Sequence, residues 1–135
     1  MLCKTWSRNL KILIVDDVDT FIKIFSVFLK KLGFTNLLIA YNGLDAINIA
    51  KSSNPDMIIM DTCMPKFFGF EVCRSMRKED YGKNIAIIGM SDIQYKEEWY
   101  EAGADCFVSK NDILKEDILL ELTKDMAEKY NFKWF

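Results

Sequence analysis

The feature that most constrains the fold is a short apolar run, Met57 to Met60, that ends in a single carboxylate at Asp61. Such a run, too short for a helix and without polar alternation, is typical of a strand buried on both faces of a parallel sheet. Pro65 and Gly69 then predict an exposed loop. Functional groups gather at the carboxyl ends of strands in these sheets, so Asp61 is a candidate nucleophile or metal ligand. A simple loop cap is the alternative.

The same succession of strand and helix recurs along the whole chain. Strands are predicted at residues 11–15, 37–41, 57–60, 85–90 and 105–109, and helices at 20–32, 44–51, 70–77, 93–102 and 113–129. This alternation predicts an α/β fold with a five-stranded parallel sheet, helices on both faces and right-handed crossovers. The first helix is expected to bury Phe21, Ile22, Ile24, Phe25, Phe28, Leu29 and Leu32. At 135 residues the chain has room for one domain with one core.

Composition excludes several classes of function. The chain is 50% hydrophobic and 28% charged with a net charge of −2, as in ordinary globular proteins. Lysines and arginines are spread out, so no nucleic-acid partner is expected. No apolar run is long enough for a membrane span and no signal peptide is visible, which predicts a cytoplasmic protein. The histidine count is 0, which excludes Ser-His-Asp and Cys-His catalysis and histidine-ligated zinc.

Polar side chains stand at the end of each predicted central strand. Asp16 and Asp17 follow the first strand, and two adjacent acids repel each other unless a cation is near, which favours a Mg²⁺ site over a plain turn. Asp19 is expected to cap the first helix. Ser91 follows the fourth strand, where a serine is also commonly a helix cap, and Lys110 follows the fifth. Together with Asp61, these groups predict a Mg²⁺ and phosphoryl site at one edge of the sheet.

The motifs resemble those of the response regulator receiver domains of two-component signalling, from about Leu10 to Glu128. The resemblance rests on Ile-Val-Asp16-Asp17, Met-Asp61-x-x-Met64-Pro65-x-x-x-Gly69, Ser91 and Gly103-Ala-Asp-x-Phe107-x-x-Lys110. It implies a flavodoxin-like, doubly wound sheet with strand order 2-1-3-4-5. With the core at about 10–128, residues 1–135 are expected to form a single stand-alone receiver without an output domain.

The resemblance also implies a role for each matching residue. Asp61 would accept a phosphoryl group from a sensor histidine kinase, a phosphotransfer protein or a small donor such as acetyl phosphate. Asp17 and Asp61 would ligate Mg²⁺ directly, Asp16 through water, and Cys63 through its backbone carbonyl. Ser91 and Lys110 would bind the phosphoryl oxygens, and Phe107 would turn inward as Ser91 moves. The signal would pass to a protein partner through the face of the fourth helix, fifth strand and last helix, without turnover of a separate substrate.

Three departures from the family pattern keep other readings open. Asp92 stands where the family usually has a small residue, and either hinders phosphorylation or caps the fourth helix. Asn111 replaces the usual proline, which predicts a trans peptide bond there. The segment from Ser91 to Gly103 is about three residues short for this family, which is nearly one helical turn. A receiver-like binding module that works without phosphorylation is therefore the alternative, and a small phosphatase using Asp61 ranks last.

A monomer or a weak phosphorylation-dependent dimer is expected.

Overall fold

The structure is a computed structural model, and it describes residues 8–91 and 94–132. The strands of its sheet are β1 (Ile12–Val15), β2 (Leu37–Ala40), β3 (Met57–Asp61), β4 (Ala86–Ser91) and β5 (Cys106–Ser109). All neighbours are parallel and their order is β2-β1-β3-β4-β5. The predicted α/β fold and strand order are therefore confirmed.

Helices connect the strands on both faces of the sheet. They are α1 (Asp19–Lys31), α2 (Gly43–Ser53), α3 (Gly69–Arg77), α4 (Lys96–Glu101), α5 (Lys110–Ile113) and α6 (Glu116–Tyr130). A turn of 3₁₀-helix, Asp80–Gly82, lies in the polar connection before β4. In the described part of the chain, no helix has the length and apolar character that a bilayer span requires.

The sheet separates two apolar cores because successive side chains of a strand point to opposite faces. Ile12 and Ile14 of β1 belong to the core that includes Phe25 of α1 and Leu119 of α6. The alternate β1 residues belong to the other core, which α2, α3 and α4 cover. β1, β3 and β4 are buried throughout, as their short apolar runs predict.

The start of α1 differs from the prediction. Its N-cap is Val18 and Asp19 is its first residue, with a carboxylate that forms an ion pair at 3.0 Å with Lys23. The prediction that Ile24 is buried was wrong, because this side chain is 59% exposed. With 3.6 residues per turn, Ile24 is rotated by about 200° from the buried Ile22 and so faces away from the sheet.

The fourth and last helices also begin at other residues than predicted. α4 begins at Lys96, because its N-cap Tyr95 has a left-handed backbone with φ of 81°. The predicted cap Asp92 lies outside the described residues. The Ser109 side chain accepts a hydrogen bond from the Asp112 backbone N–H and starts the short α5, so the last segment is divided into two helices. The described residues contain no cis peptide bond, which agrees with the trans bond predicted before Asn111.

Candidate functional site

Three carboxylates meet at the carboxyl ends of β1 and β3. The two strands are neighbours, and their register pairs Val15 with Met60, so the residue after each partner is an acid. One oxygen from each of Asp16, Asp17 and Asp61 lies within 4.8 Å of the others. Asp16 and Asp61 are buried and Asp17 is exposed, so the cluster opens to solvent on one side. Carboxylate oxygens in such a group are the ligands that Mg²⁺ prefers.

Lys110 supplies a positive charge to this cluster from the end of β5. Its ammonium nitrogen lies 2.8 Å from Asp16 Oδ2 and 3.4 Å from Asp61 Oδ1. The Phe21 ring of α1 also contacts this ammonium group, with the ring centroid 4.7 Å from the same nitrogen. Burial lowers the pKa of Lys110, but the hydrogen bond to Asp16 and the charges of Asp61 and Asp16 outweigh it and leave the pKa raised. The side chain is therefore a fixed cation at the cluster.

The environment of Asp61 raises the pKa of its carboxyl. Burial, and then the negative charge of Asp16, raise the pKa of its carboxyl to about 6 although Lys110 lowers it. The cluster thus holds more negative charge than Lys110 offsets. A divalent cation would relieve that repulsion, so the donor oxygens and their excess charge both fit Mg²⁺.

The other predicted site residues lie at the same edge of the sheet or in its loops. Ser91 ends β4, is buried and pairs with Ser109, the residue before Lys110. Phe107 pairs with Gly89 and packs, partly buried, against the second core. Cys63 is exposed in the loop after β3. The carboxyl edge of the sheet therefore carries Ser91, Lys110 and the three acids. Phe107 lies further from this edge, within β5.

A buried pair beside the cluster, Thr62 and Trp99, was not predicted from the sequence. The Thr62 side chain follows Asp61 and is fully buried, and it accepts a hydrogen bond of 2.8 Å from the Trp99 indole N–H. One signal was available in the sequence. Gly89 interrupts the apolar run of β4, and a glycine inside a strand often marks the close approach of another group. In the structure that group is the Trp99 ring.

Comparison with known proteins identifies the class to which this fold and site belong. The model of the response regulator receiver domain family matches residues 12–123. The chain therefore belongs to the response regulator receiver domain family.

Curated relatives agree with this assignment over most of the chain. The probable transcriptional regulator ycf27 of Cyanidium caldarium is 37% identical over 103 residues, which cover 76% of this chain and 41% of the relative. The alkaline phosphatase synthesis transcriptional regulatory protein PhoP of Bacillus subtilis (strain 168) is 31% identical, covering 76% of this chain and 42% of its own length. The matches thus span about two fifths of the length of these relatives.

Solved structures share the fold across nearly their whole length. The chemotaxis response regulator CheY4 of Vibrio cholerae has a TM-score of 0.77 and 26% identity, covering 87% of this chain and 98% of that one. The receiver domain of the sensor histidine kinase PA1611 of Pseudomonas aeruginosa PAO1 has a TM-score of 0.75 and 22% identity, with coverages of 91% and 98%. In that structure a magnesium ion is coordinated in the active site cleft.

Proposed function

We propose that this chain accepts a phosphoryl group on Asp61, with Mg²⁺, and signals by a conformational change to a protein partner. The observation that carries the proposal is the cluster of Asp16, Asp17 and Asp61 with Lys110 at its side. Phosphoryl transfer depends mainly on positioning and on neutralising charge, and this cluster supplies both. Membership of the receiver family supports the same chemistry.

Each residue of the site has a separate role in phosphoryl transfer. Asp16, Asp17, Asp61 and the Cys63 backbone carbonyl would hold Mg²⁺, which when bound neutralises charge on the phosphoryl oxygens. With a phosphohistidine donor on a partner protein, a carboxylate oxygen of Asp61 attacks the phosphorus. The bond from phosphorus to the imidazole nitrogen of that donor breaks, and its electron pair stays on the donor imidazole. Lys110 pairs with the phosphoryl oxygens, and the Ser91 hydroxyl donates a hydrogen bond to one of them. The product is an acyl phosphate on the chain itself, so no separate substrate is turned over.

The donor would be a sensor histidine kinase, a phosphotransfer protein or a small phosphodonor such as acetyl phosphate. The output would be a shift between two conformations of the face made by α4, β5 and α6. That face would bind a downstream protein. The stand-alone character, the cytoplasmic location and the absence of a nucleic-acid partner stay predictions, since the relatives named as transcriptional regulators extend well beyond the matched region.

The test is the intact mass of the protein after incubation with acetyl phosphate and Mg²⁺. We expect the wild type to gain one phosphoryl mass, and Asp61→Asn to gain none. Asp80→Asn, which changes an exposed acid in the connection before β4, is the matched control and should gain the same mass as the wild type. Omission of Mg²⁺ should abolish the gain.

The second candidate, a phosphorylation-independent binding module, is favoured by the short α4, which has 6 residues. A shorter helix offers a smaller surface that a conformational switch could change. The same experiment separates the two. No mass gain in the wild type, with acetyl phosphate or with a histidine kinase, would favour the binding module.

A further inference from the structure

The indole of Trp99 occupies a narrow slot beside the phosphoacceptor strand. Trp99 belongs to α4 and is fully buried. Two glycines border it: a Cβ added at Gly89 would overlap the ring, and one added at Gly69 would lie 2.8 Å from the ring carbon Cζ2 and closer still to the Asp61 backbone oxygen. The slot thus lies between the start of α3 and the strand β4, which ends in Ser91.

The indole also takes part in a chain of two buried hydrogen bonds. Its Nε1–H donates to the Thr62 hydroxyl, which donates in turn to the Met90 backbone carbonyl, both at 2.8 Å. Thr62 directly follows Asp61, and the Met90 carbonyl belongs to the peptide group that joins Met90 to Ser91. These two bonds therefore connect α4 to the ends of β3 and β4, which carry Asp61 and Ser91.

The geometry of these two hydrogen bonds links the indole to the peptide before Ser91. The Thr62 hydroxyl has a single hydrogen, and that hydrogen points at the Met90 carbonyl. If the peptide before Ser91 moves, this hydrogen bond must lengthen or the hydroxyl must turn, and the indole N–H then loses its aligned acceptor. An unpaired buried donor is costly, so the indole would shift together with the peptide.

We propose that Trp99 is a positioning residue that couples helix α4 to the state of the phosphoryl site through the Thr62 hydroxyl. The inference rests on the proposed function, because phosphorylation of Asp61 is what moves Ser91. It assigns the link to two side chains, Thr62 and Trp99, for which the sequence analysis expected no role. It also gives the short α4 a direct connection to the site that does not pass through Phe107.

Aromatic contacts extend this connection to the surface. The Trp99 ring meets Phe70 edge to face at 6.3 Å, and Phe70 lies 5.8 Å from Tyr95. Tyr95 is the left-handed N-cap of α4, and its carbonyl accepts the backbone N–H of Trp99. Phe68, which is 41% exposed, stacks on Phe70 and touches Tyr95. A displaced indole would therefore change the packing of Tyr95 at the start of α4 and of the exposed Phe68 side chain.

The test is the indole N–H signal of Trp99 in ¹⁵N–¹H spectra of the full chain. The chain has 3 tryptophans, so Trp99→Phe identifies the signal by its loss. Addition of Mg²⁺ and acetyl phosphate should shift this signal in the wild type, with the intact mass measured on the same sample. Asp61→Asn should show no such shift. In Thr62→Val the signal should lose its response to phosphorylation, while Thr35→Val, at an exposed threonine, should keep it.

Kinetics supply a second readout that a purely structural role would not change. Thr62→Val and Trp99→Phe should each alter the phosphorylation rate per folded molecule by about threefold or more, and the double variant by no more than either alone. If Trp99→Phe does not fold, the nearly isosteric Thr62→Val still tests the link. An unchanged Trp99 signal in protein that has gained the phosphoryl mass overturns the inference, as does a normal response in Thr62→Val. If no mass is gained at all, the proposed function fails and the coupling fails with it.

Discussion

The ammonium nitrogen of Lys110 lies closer to Asp16 than to Asp61, at 2.8 Å against 3.4 Å. Asp16 is fully buried, and its other carboxylate oxygen accepts the Val18 backbone N–H at 2.9 Å. Lys110 is thus the cation that allows a buried acid to stand beside Asp61. This arrangement predicts that the lysine and a divalent cation share the task of neutralising the cluster.

The first prediction concerns removal of that cation. Lys110→Met should lower the free energy of unfolding by about 2 to 3 kcal/mol at pH 8 without metal, because the three acids lose their counter-charge. Added Mg²⁺ should then raise the unfolding temperature more in the variant than in the wild type. Lys115→Met removes an exposed lysine paired with Asp112 and should behave like the wild type. Equal responses of Lys110→Met and wild type to Mg²⁺ would contradict the prediction.

The second prediction concerns pH. The native pKa of Asp61 is raised to about 6, so the folded state holds this proton more tightly than the unfolded state does. The stability from this group is complete below its ordinary pKa of about 4 and is lost as pH rises through about 6. Asp61→Asn should therefore be more stable than the wild type by about 1 to 2 kcal/mol at pH 8, a value discounted for solvent screening.

Urea unfolding without divalent metal at pH 4 and pH 8 measures this difference. The advantage of Asp61→Asn should largely disappear at the lower pH, where the wild-type carboxyl is protonated in the folded state and about half protonated in the unfolded state. Asp80→Asn, at an exposed acid, should follow the wild type at both values. A constant difference between Asp61→Asn and wild type across this range would show that the charge of Asp61 is not its cause.

The third prediction concerns an ion-pair network away from the site. Asp105 precedes β5 and accepts hydrogen bonds from Arg77, Lys129, the Tyr130 hydroxyl and the Ile87 backbone N–H. Asp105→Ala should destabilise the protein by about 3 to 5 kcal/mol, because it leaves the partly buried guanidinium without its anion.

Burial and the hydrogen bond to Asp105 raise the pKa of Tyr130 to about 12, so Asp105→Ala should also lower the pH at which this tyrosine ionises. Denaturant unfolding and ultraviolet titration measure the two effects. Asp80→Ala, which breaks an exposed pair with Lys83 at 3.4 Å, should cost less than about 1 kcal/mol. A small loss in Asp105→Ala would mean that solvent replaces the carboxylate.

The fourth prediction concerns the slot for Trp99. Gly89→Ala places a methyl group against the indole and should cost about 1 to 3 kcal/mol through overpacking. Trp99→Leu should also destabilise the protein, because it leaves a cavity. The double variant should be more stable than the sum of the two losses, since the smaller side chain leaves room for the methyl group. If the losses in the free energy of unfolding are additive, the cost of Gly89→Ala does not come from its contact with the indole.

Much of this molecule was predictable because its signals are local in the chain. Uninterrupted apolar runs such as Met57 to Met60 can only be buried on both faces, and their alternation with amphipathic segments leads to the parallel sheet that is observed. The placement of Asp16, Asp17 and Asp61 follows from the same logic, since strand ends of a parallel sheet share one edge.

The errors occurred where contacts distant in sequence decide the outcome. Local periodicity allowed a helix from residue 93, whereas α4 begins at Lys96, after the left-handed Tyr95 that packs against Phe68 and Phe70. Ile24 matched the apolar spacing of α1 but lies on the face that the sheet does not cover. For α4, the contacts that decide its start are not encoded within a few residues of Tyr95.

The sequence by itself determined the α/β fold, the strand order through its family resemblance, and the acids at the carboxyl edge. Only the tertiary structure decided that Lys110 pairs more closely with Asp16 than with Asp61, and that the Trp99 indole reaches Thr62. The physical reason is the separation along the sequence of the residues that interact. Apolar periodicity acts between neighbours along the chain, whereas hydrogen bonds and ion pairs require that atoms up to 94 positions apart, such as those of Asp16 and Lys110, meet within about 3 Å.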